Sequence, residues 1–278
     1  MSDVRHAAVA GSWYPGTRAR LEVAVSAHLS AAGSDATPAC PRALVAPHAG
    51  LMYSGPVAAH AYRLIRDCGY SAAVLVGPSH FFGFHGVSVW PRGAWDTPLG
   101  KVAVAHDLAD AIAAECADIH DYPDAHGREH SLEMQLPFVA HLLPGIPIVP
   151  MVMGYQTRDT AERLGDALAR GITAFEGREL RGVLLIASSD LSHYEDAMTA
   201  SRMDAIVLRH VDALDADGLM STLEGEPRHA CGGGPMVSVM RAATQLGTAQ
   251  SRVLRYADSG DVSGDKSSVV GYMAAAIW

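Results

Sequence analysis

The apolar positions of this chain fall into two kinds of run. Short stretches dense in valine, leucine and isoleucine, with no polar alternation, occur at Ala43 to Ala46, Ala73 to Val76, Ile146 to Val152, Val183 to Ala187 and Val269 to Trp278. A strand covered on one face alternates polar and apolar residues, so these continuous runs predict strands of a sheet buried on both faces. Between them, apolar residues recur at helical spacing over Val57 to Arg66, Asp107 to Cys116, Ser131 to Leu142, Arg158 to Arg170, Thr199 to Leu214 and Pro235 to Leu246. Strands alternating with helices predict an α/β fold, a doubly wound three-layer α/β/α architecture with a mostly parallel central sheet. No internal repeat, low-complexity tract or Pro/Ser-rich linker interrupts the pattern, so residues 1–278 read as a single domain.

In such sheets ligands sit beyond the carboxyl ends of the strands, where loops can converge polar groups without breaking the ladder. The first run is followed by Pro47-His48-Ala49-Gly50, the second by Gly77-Pro78-Ser79-His80, and the fourth by Ser188-Ser189-Asp190-Leu191-Ser192-His193-Tyr194. Each of these ends presents a histidine.

Composition narrows the reading. Apolar residues make up 49% and charged residues 18%, the profile of a packed globular protein. The net charge of −9 and the lack of any lysine/arginine run remove the electrostatic footprint of a nucleic-acid binder. The N-terminal segment has no secretory pattern, and no apolar stretch approaches the ~20 residues of a membrane span. A soluble cytoplasmic protein is expected, with neither nucleic acid nor membrane as partner. Cys40, Cys68, Cys116 and Cys231 lie far apart with no CxxC spacing and are expected to be free thiols. Fourteen histidines are many for this length, and several fall at strand ends, which points toward metal chemistry.

His48 and His80 are the leading candidates, each just past a buried strand and close to a proline that stiffens the turn. Neutral imidazole suits zinc, iron, copper or nickel. For either histidine alone a loop carbonyl is the competing partner; two such strand ends favour a site. Cys231 opens Cys231-Gly232-Gly233-Gly234-Pro235 just before a helical pattern. The glycines allow close backbone approach and the helix dipole favours a thiolate, so Cys231 reads as a metal ligand or redox thiol, against the alternative of a small buried hydrophobe. Asp190 and His193 form Asp-x-x-His; if the segment is helical they share a face, with the carboxylate orienting an imidazole base, while an N-cap role for Asp190 competes.

Glu129-His130-Ser131-Leu132-Glu133 opens a helical pattern, where Glu129 and Glu133 either support histidine ligands or complement the helix dipole. Trp13, Tyr53, Glu129 and His130 are candidate cleft residues, with core packing an equal account of the two aromatics. His6, His28, His126 and His210 lack a strand-end setting and are expected on the surface or in loops. The turn-rich segment Asp258 to Ser267 is expected to form a hairpin or a lid over the pocket.

Taken in order, Ala10-Gly11-Ser12-Trp13-Tyr14-Pro15, Ala46-Pro47-His48-Ala49-Gly50, Gly77-Pro78-Ser79-His80, Glu129-His130-Ser131-Leu132-Glu133, Ser189-Asp190-Leu191-Ser192-His193-Tyr194 and Ala230-Cys231-Gly232-Gly233-Gly234-Pro235 resemble the Memo family, in bacteria the AmmeMemoRadiSam system protein B group. The resemblance runs over essentially the whole chain. It implies a fold related to class III extradiol dioxygenases, which hold non-haem iron with two histidines and a glutamate. On that likeness His48 and His80 are the imidazole ligands, His193 stands where the dioxygenases keep their base, and Cys231 takes the place of the carboxylate. A thiolate shifts metal preference toward copper or zinc while tolerating iron. The family is associated with iron or copper and redox chemistry, and one member with binding phosphotyrosine peptides in the same cleft.

The first functional expectation is therefore a metal-dependent redox enzyme or dioxygenase-like protein acting on a small substrate, aromatic ones included. Fe(II) is the first choice of metal, with copper or zinc next. A non-catalytic module that captures a phosphorylated or carboxylated ligand in the same cleft is the alternative. Zinc-assisted hydrolysis ranks lower because no HExxH is present, as does a Cys231 nucleophile paired with His193.

Overall fold

The computed structural model describes residues 4–33, 38, 40–177 and 182–278. In chain order its strands are β1 Val4–Arg5, β2 Ala43–Ala46, β3 Ala72–Pro78, β4 Val87–Val89, β5 Ala94–Thr97, β6 Gly100–Ala103, β7 Ile119–His120, β8 Ile148–Met153, β9 Val183–Ser188, β10 His193–Glu195, β11 Ser251–Asp258 and β12 Val269–Ile277. The helices are α1 Arg18–Ala31, α2 Leu51–Tyr62, α3 His106–Ala113, α4 Asp124–Gly127, α5 Leu136–Leu142, α6 Arg158–Glu176, α7 Ala197–Asp212, α8 Ala216–Gly225, α9 Gly233–Gln245 and α10 Gly260–Ser263.

Nine strands form one sheet in the order β10-β12-β2-β9-β3-β8-β4-β7, with β11 also paired to β12. Its centre, β2-β9-β3-β8, is parallel, and every residue of those strands is buried, which is why their sequences run apolar without alternation. Antiparallel pairing of β12 with β2 and of β4 with β8 extends the centre on both sides. One hydrophobic cluster lies on each face of the sheet: α1, α2 and α5 contribute to one, α3, α6, α7, α8 and α9 to the other. A small sheet, β1-β5-β6, stands apart. Among the described residues no helix is long and apolar enough to cross a membrane.

Two of the expected helices differ from the pattern. Helix α2 begins at Leu51, ahead of Val57, although it contains Gly55 and Pro56; Gly55 is needed because a Cβ there would stand 2.8 Å from the His28 ring. The stretch from Ser131 opens as a 3₁₀ turn, Glu133–Gln135, before α5. The expectation of four free thiols is corrected: Cys40 and Cys68 form a disulfide, with Cα atoms 5.5 Å apart. Separation along the chain did not reveal that the approach to β2 and the turn after α2 meet. Cys116 and Cys231 are free.

The order of strands places the site. Because β9 lies between β2 and β3, the loops carrying His48 and His80 flank the loop that carries Asp190. The segment Asp258 to Ser267 is the connection of the β11-β12 hairpin, closed by Lys266 bridging Asp258 and Asp261.

Candidate metal centre

Two strand-end loops and the segment leading into α9 bring His48, His80 and Cys231 together, with one donor atom from each lying within 4.8 Å of the others. Cys231 Sγ is 3.2 Å from His48 Nε2. The loop of Cys231 reaches the sheet only because Gly232 has no side chain: a Cβ there would collide with the Ser188 carbonyl. Gln156 then clamps the loop, donating from Nε2 to the Cys231 carbonyl at 2.7 Å and accepting from Gly234 N at 2.8 Å.

Each imidazole is held from behind. His48 Nδ1 lies 2.9 Å from Ser188 Oγ, and its backbone N–H donates to Asp190 Oδ1 at 2.7 Å. His80 Nδ1 donates to Glu129 Oε1 at 2.8 Å, while its backbone N–H donates to Oε2 at 2.6 Å. Both rings thus turn Nε2 toward the shared space, the orientation that a metal-binding histidine needs. His48 is buried, whereas the His80 side chain keeps 27% of its surface exposed.

Burial also decides the charges. It holds His48 well below the ordinary histidine value, assisted by His80 and His130, and brings His130 down to about 4. It pushes the Cys231 thiol far up, with the Asp190 carboxylate adding to the rise. The dipole-favoured thiolate expected from sequence is therefore overruled by desolvation in the metal-free protein. Burial raises Asp190 to about 6, only partly opposed by the N–H groups of His48 and Ala49. At Glu129 burial also acts upward, but hydrogen bonds from His80 and the Ser131 N–H outweigh it and bring the carboxyl down to about 2.

Glu129 accepts, besides the two bonds from His80, the N–H groups of His130 and Ser131 at 2.9 and 2.8 Å. His80, Glu129 and His130 also have donor atoms close enough to hold an ion. With so many N–H groups already on its oxygens, however, Glu129 serves better as the mount of His80 than as a ligand. Glu133 does not reach a histidine: it takes the buried Arg5 guanidinium, the Tyr14 hydroxyl at 2.7 Å and the N–H groups of Ala8 and Val9. Arg5 in turn donates to the carbonyls of His126 and Glu129 and lies 4.5 Å above the Trp95 ring. Sequence reasoning missed Arg5, Ser188, Gln135 and Gln156, and no local pattern marks them.

Other expectations fare unevenly. The segment after β9 is not helical, so Asp190 and His193 share no helix face; His193 opens β10, and its Nδ1 donates to the Leu191 carbonyl at 2.8 Å. That carbonyl, and not Asp190, orients the ring, and Asp190 is no helix cap. His193 is near enough to depress His48 further. Next to it Tyr194 is 78% exposed and adopts the left-handed region, φ 64°, at a register irregularity in β10. Trp13 packs against His130 with ring centroids 4.3 Å apart, and His130 stacks on His80 at 4.6 Å. Tyr53, half-buried on the first turn of α2, makes no ring contact with these histidines among the described residues. His126, expected at the surface, is fully buried under Trp90 and Trp95 with Nε2 3.0 Å from Ser88 Oγ; its short helix α4 folds inward beneath Arg5.

The family model described as Memo-like protein matches residues 5–276. A MEMO1 family protein of Sulfolobus acidocaldarius is 39% identical over 98% of this chain and 98% of its own length. One of Methanothermobacter thermautotrophicus is 38% identical over 97% and 98%. Among solved structures, an uncharacterized protein of Escherichia coli K12 superposes with a TM-score of 0.51 at 17% identity, covering 84% of this chain and 99% of that one, a likeness of fold alone.

Proposed function

This chain belongs to the Memo-like family, and from that premise we propose that it is a metal-dependent, dioxygenase-like redox protein acting as a single domain on a small aromatic substrate. Its ion is Fe(II) by first choice, with copper or zinc next, held by His48 Nε2, His80 Nε2 and Cys231 Sγ. The observation that carries this reading is the convergence of two oriented imidazoles and one thiol at adjoining strand ends. A transition metal with only these protein ligands would supply Lewis acidity and one-electron chemistry with dioxygen.

The chain's own residues do the rest. Since the Nδ1 proton of His193 is committed to the Leu191 carbonyl, its Nε2 is the free lone pair that takes a proton from an acidic substrate hydroxyl. Trp13 and His130 form an aromatic wall beside His80, against which a planar ring can pack. Asp190, poised near 6, exchanges a proton close to neutrality.

The alternative, capture of a phosphorylated or carboxylated group, ranks second for two reasons. Burial keeps His48 and His130 neutral. The amides of Gly232 and Gly234 that would cradle an anion are already bonded to Ser189 Oγ and Gln156 Oε1. A cytoplasmic location is retained in the proposal, with the Cys40–Cys68 disulfide weighing against it, since reducing compartments seldom keep disulfides.

Elemental analysis of freshly purified protein tests the metal: one ion per chain is expected, lost in Cys231→Ser and His48→Ala. Oxygen uptake on adding catechols or aminophenols to anaerobically iron-loaded protein tests the chemistry. No uptake across such a panel with iron or copper removes the oxygenase reading.

A further inference from the structure

Ser188, the last residue of β9, is fully buried, and its hydroxyl oxygen has three polar neighbours: Ser131 O at 2.7 Å, Gln135 Nε2 at 2.7 Å and His48 Nδ1 at 2.9 Å. A serine has one proton to give and two lone pairs to offer. A carbonyl oxygen only accepts, and two oxygens 2.7 Å apart without a hydrogen between them would repel, so the Ser188 proton lies toward Ser131.

The Gln135 amide is oriented independently of Ser188. Its Nε2 sits 3.1 Å from the Pro47 carbonyl, which can only accept, and its Oε1 takes the Tyr62 hydroxyl at 2.7 Å. Gln135 therefore donates to Ser188. With the serine proton given away and one lone pair taken, the remaining partner, His48 Nδ1, has to be the donor.

We infer that Ser188, with Gln135 behind it, is a positioning residue that locks His48 in the Nδ1–H tautomer and aims the bare Nε2 at Cys231 Sγ, 3.2 Å away. The tautomer stands on the hydrogen-bond geometry alone; its consequence for metal affinity rests on the reading of the site given above. His80 reaches the same tautomer through Glu129. The two imidazoles thus present the same nitrogen from unlike mounts, one a neutral hydroxyl and amide, the other a carboxylate. A hydroxyl mount leaves the imidazole less basic than a carboxylate mount does, so the two nitrogens are unequal donors.

The test begins with metal-free protein, reading histidine side-chain ¹⁵N shifts, with His48→Ala to assign the signals. His48 is expected to show a protonated Nδ1 and a bare Nε2. Ser188→Ala is expected to mix the tautomers, and Gln135→Leu, which leaves the strand unchanged, to shift the same signals in the same direction. Titration with Co(II), followed by thiolate-to-cobalt absorption, is expected to weaken about ten- to hundredfold in Ser188→Ala. Ser188→Thr, which keeps the hydroxyl, is expected to restore most of that loss. A wild-type His48 protonated on Nε2 overturns the inference, as does a Ser188→Ala protein that keeps the Nδ1–H form. Absence of Co(II) binding by wild type would instead sink the metal reading, leaving the tautomer to be judged by its nitrogen shifts.

Discussion

Two buried carboxylates stand on either side of the histidines, and their acidities are pushed in opposite directions. At the Glu129 corner, the N–H groups of His80, His130 and Ser131 and the His80 ring all point at one carboxylate, which stays ionised down to about 2. At the Asp190 corner the carboxylate is as deeply buried but receives little beyond the N–H groups of His48 and Ala49, and it rises to about 6. Burial acts upward on both acids. The supply of donors decides which acid is pushed down and which up, so one corner is a fixed mount and the other a group that exchanges protons closer to neutrality.

The strongest way to break this contrast is Glu129→Gln. An amide cannot accept all of these N–H groups, and the variant is expected to lose about 3 kcal/mol of stability near neutral pH and to bind Co(II) roughly a hundredfold more weakly. The wild-type contribution is present above the ordinary carboxyl value of 4.5 and fades as pH falls toward 2, which urea unfolding across that range measures. A loss under about 1 kcal/mol would show that the donors matter less than proposed.

Asp190→Asn should have the opposite sign. Because the folded state raises this carboxyl from 3.8 to about 6, ionisation costs stability as pH climbs through that window. Metal-free Asp190→Asn is therefore expected to be more stable than wild type by about 3 kcal/mol near neutral pH, with the gap closing below about pH 4. Equal stability at both ends of the range would remove the distinction between the corners.

Metal loading sharpens it further. Burial keeps the Cys231 thiol and the His48 imidazole both neutral, so an ion has to displace one proton, that of the thiol. Co(II) affinity is then expected to rise up to about tenfold per pH unit, with about one proton released in calorimetry run in two buffers. The smallest effect belongs to Tyr194 beside the Asp190 corner, where a left-handed, exposed tyrosine carries backbone strain. Tyr194→Gly is expected to gain about 1 kcal/mol, readable as a shift in the urea midpoint.

Much of the framework was legible in advance. Strands β2, β3, β8, β9 and β12 are unbroken apolar runs, since burial on both faces leaves no room for alternation. Helix α1 is less legible because its buried stripe, Leu21, Val25 and Leu29, is blurred by the exposed Val23, and β11 because its half-exposed residues give a broken pattern. His48, His80 and Cys231 stood out because strand ends and a glycine run mark them locally. Ser188, Gln135 and Arg5 did not, because a serine, an amide or an arginine takes on such a role only through partners supplied by distant parts of the fold. The burial of His126 is hidden from the sequence for the same reason: it depends on Arg5, Trp90 and Trp95 arriving from elsewhere.

His48 and Cys231 are separated by 183 positions, and the Arg5 that braces the Glu129 loop pairs across 128. It follows that a half-made polypeptide leaving the ribosome lacks the full set of candidate donors until Cys231, just ahead of α9, has emerged and docked. Ion uptake would then report on finished folding, and chains truncated before Cys231 should be recovered poor in metal.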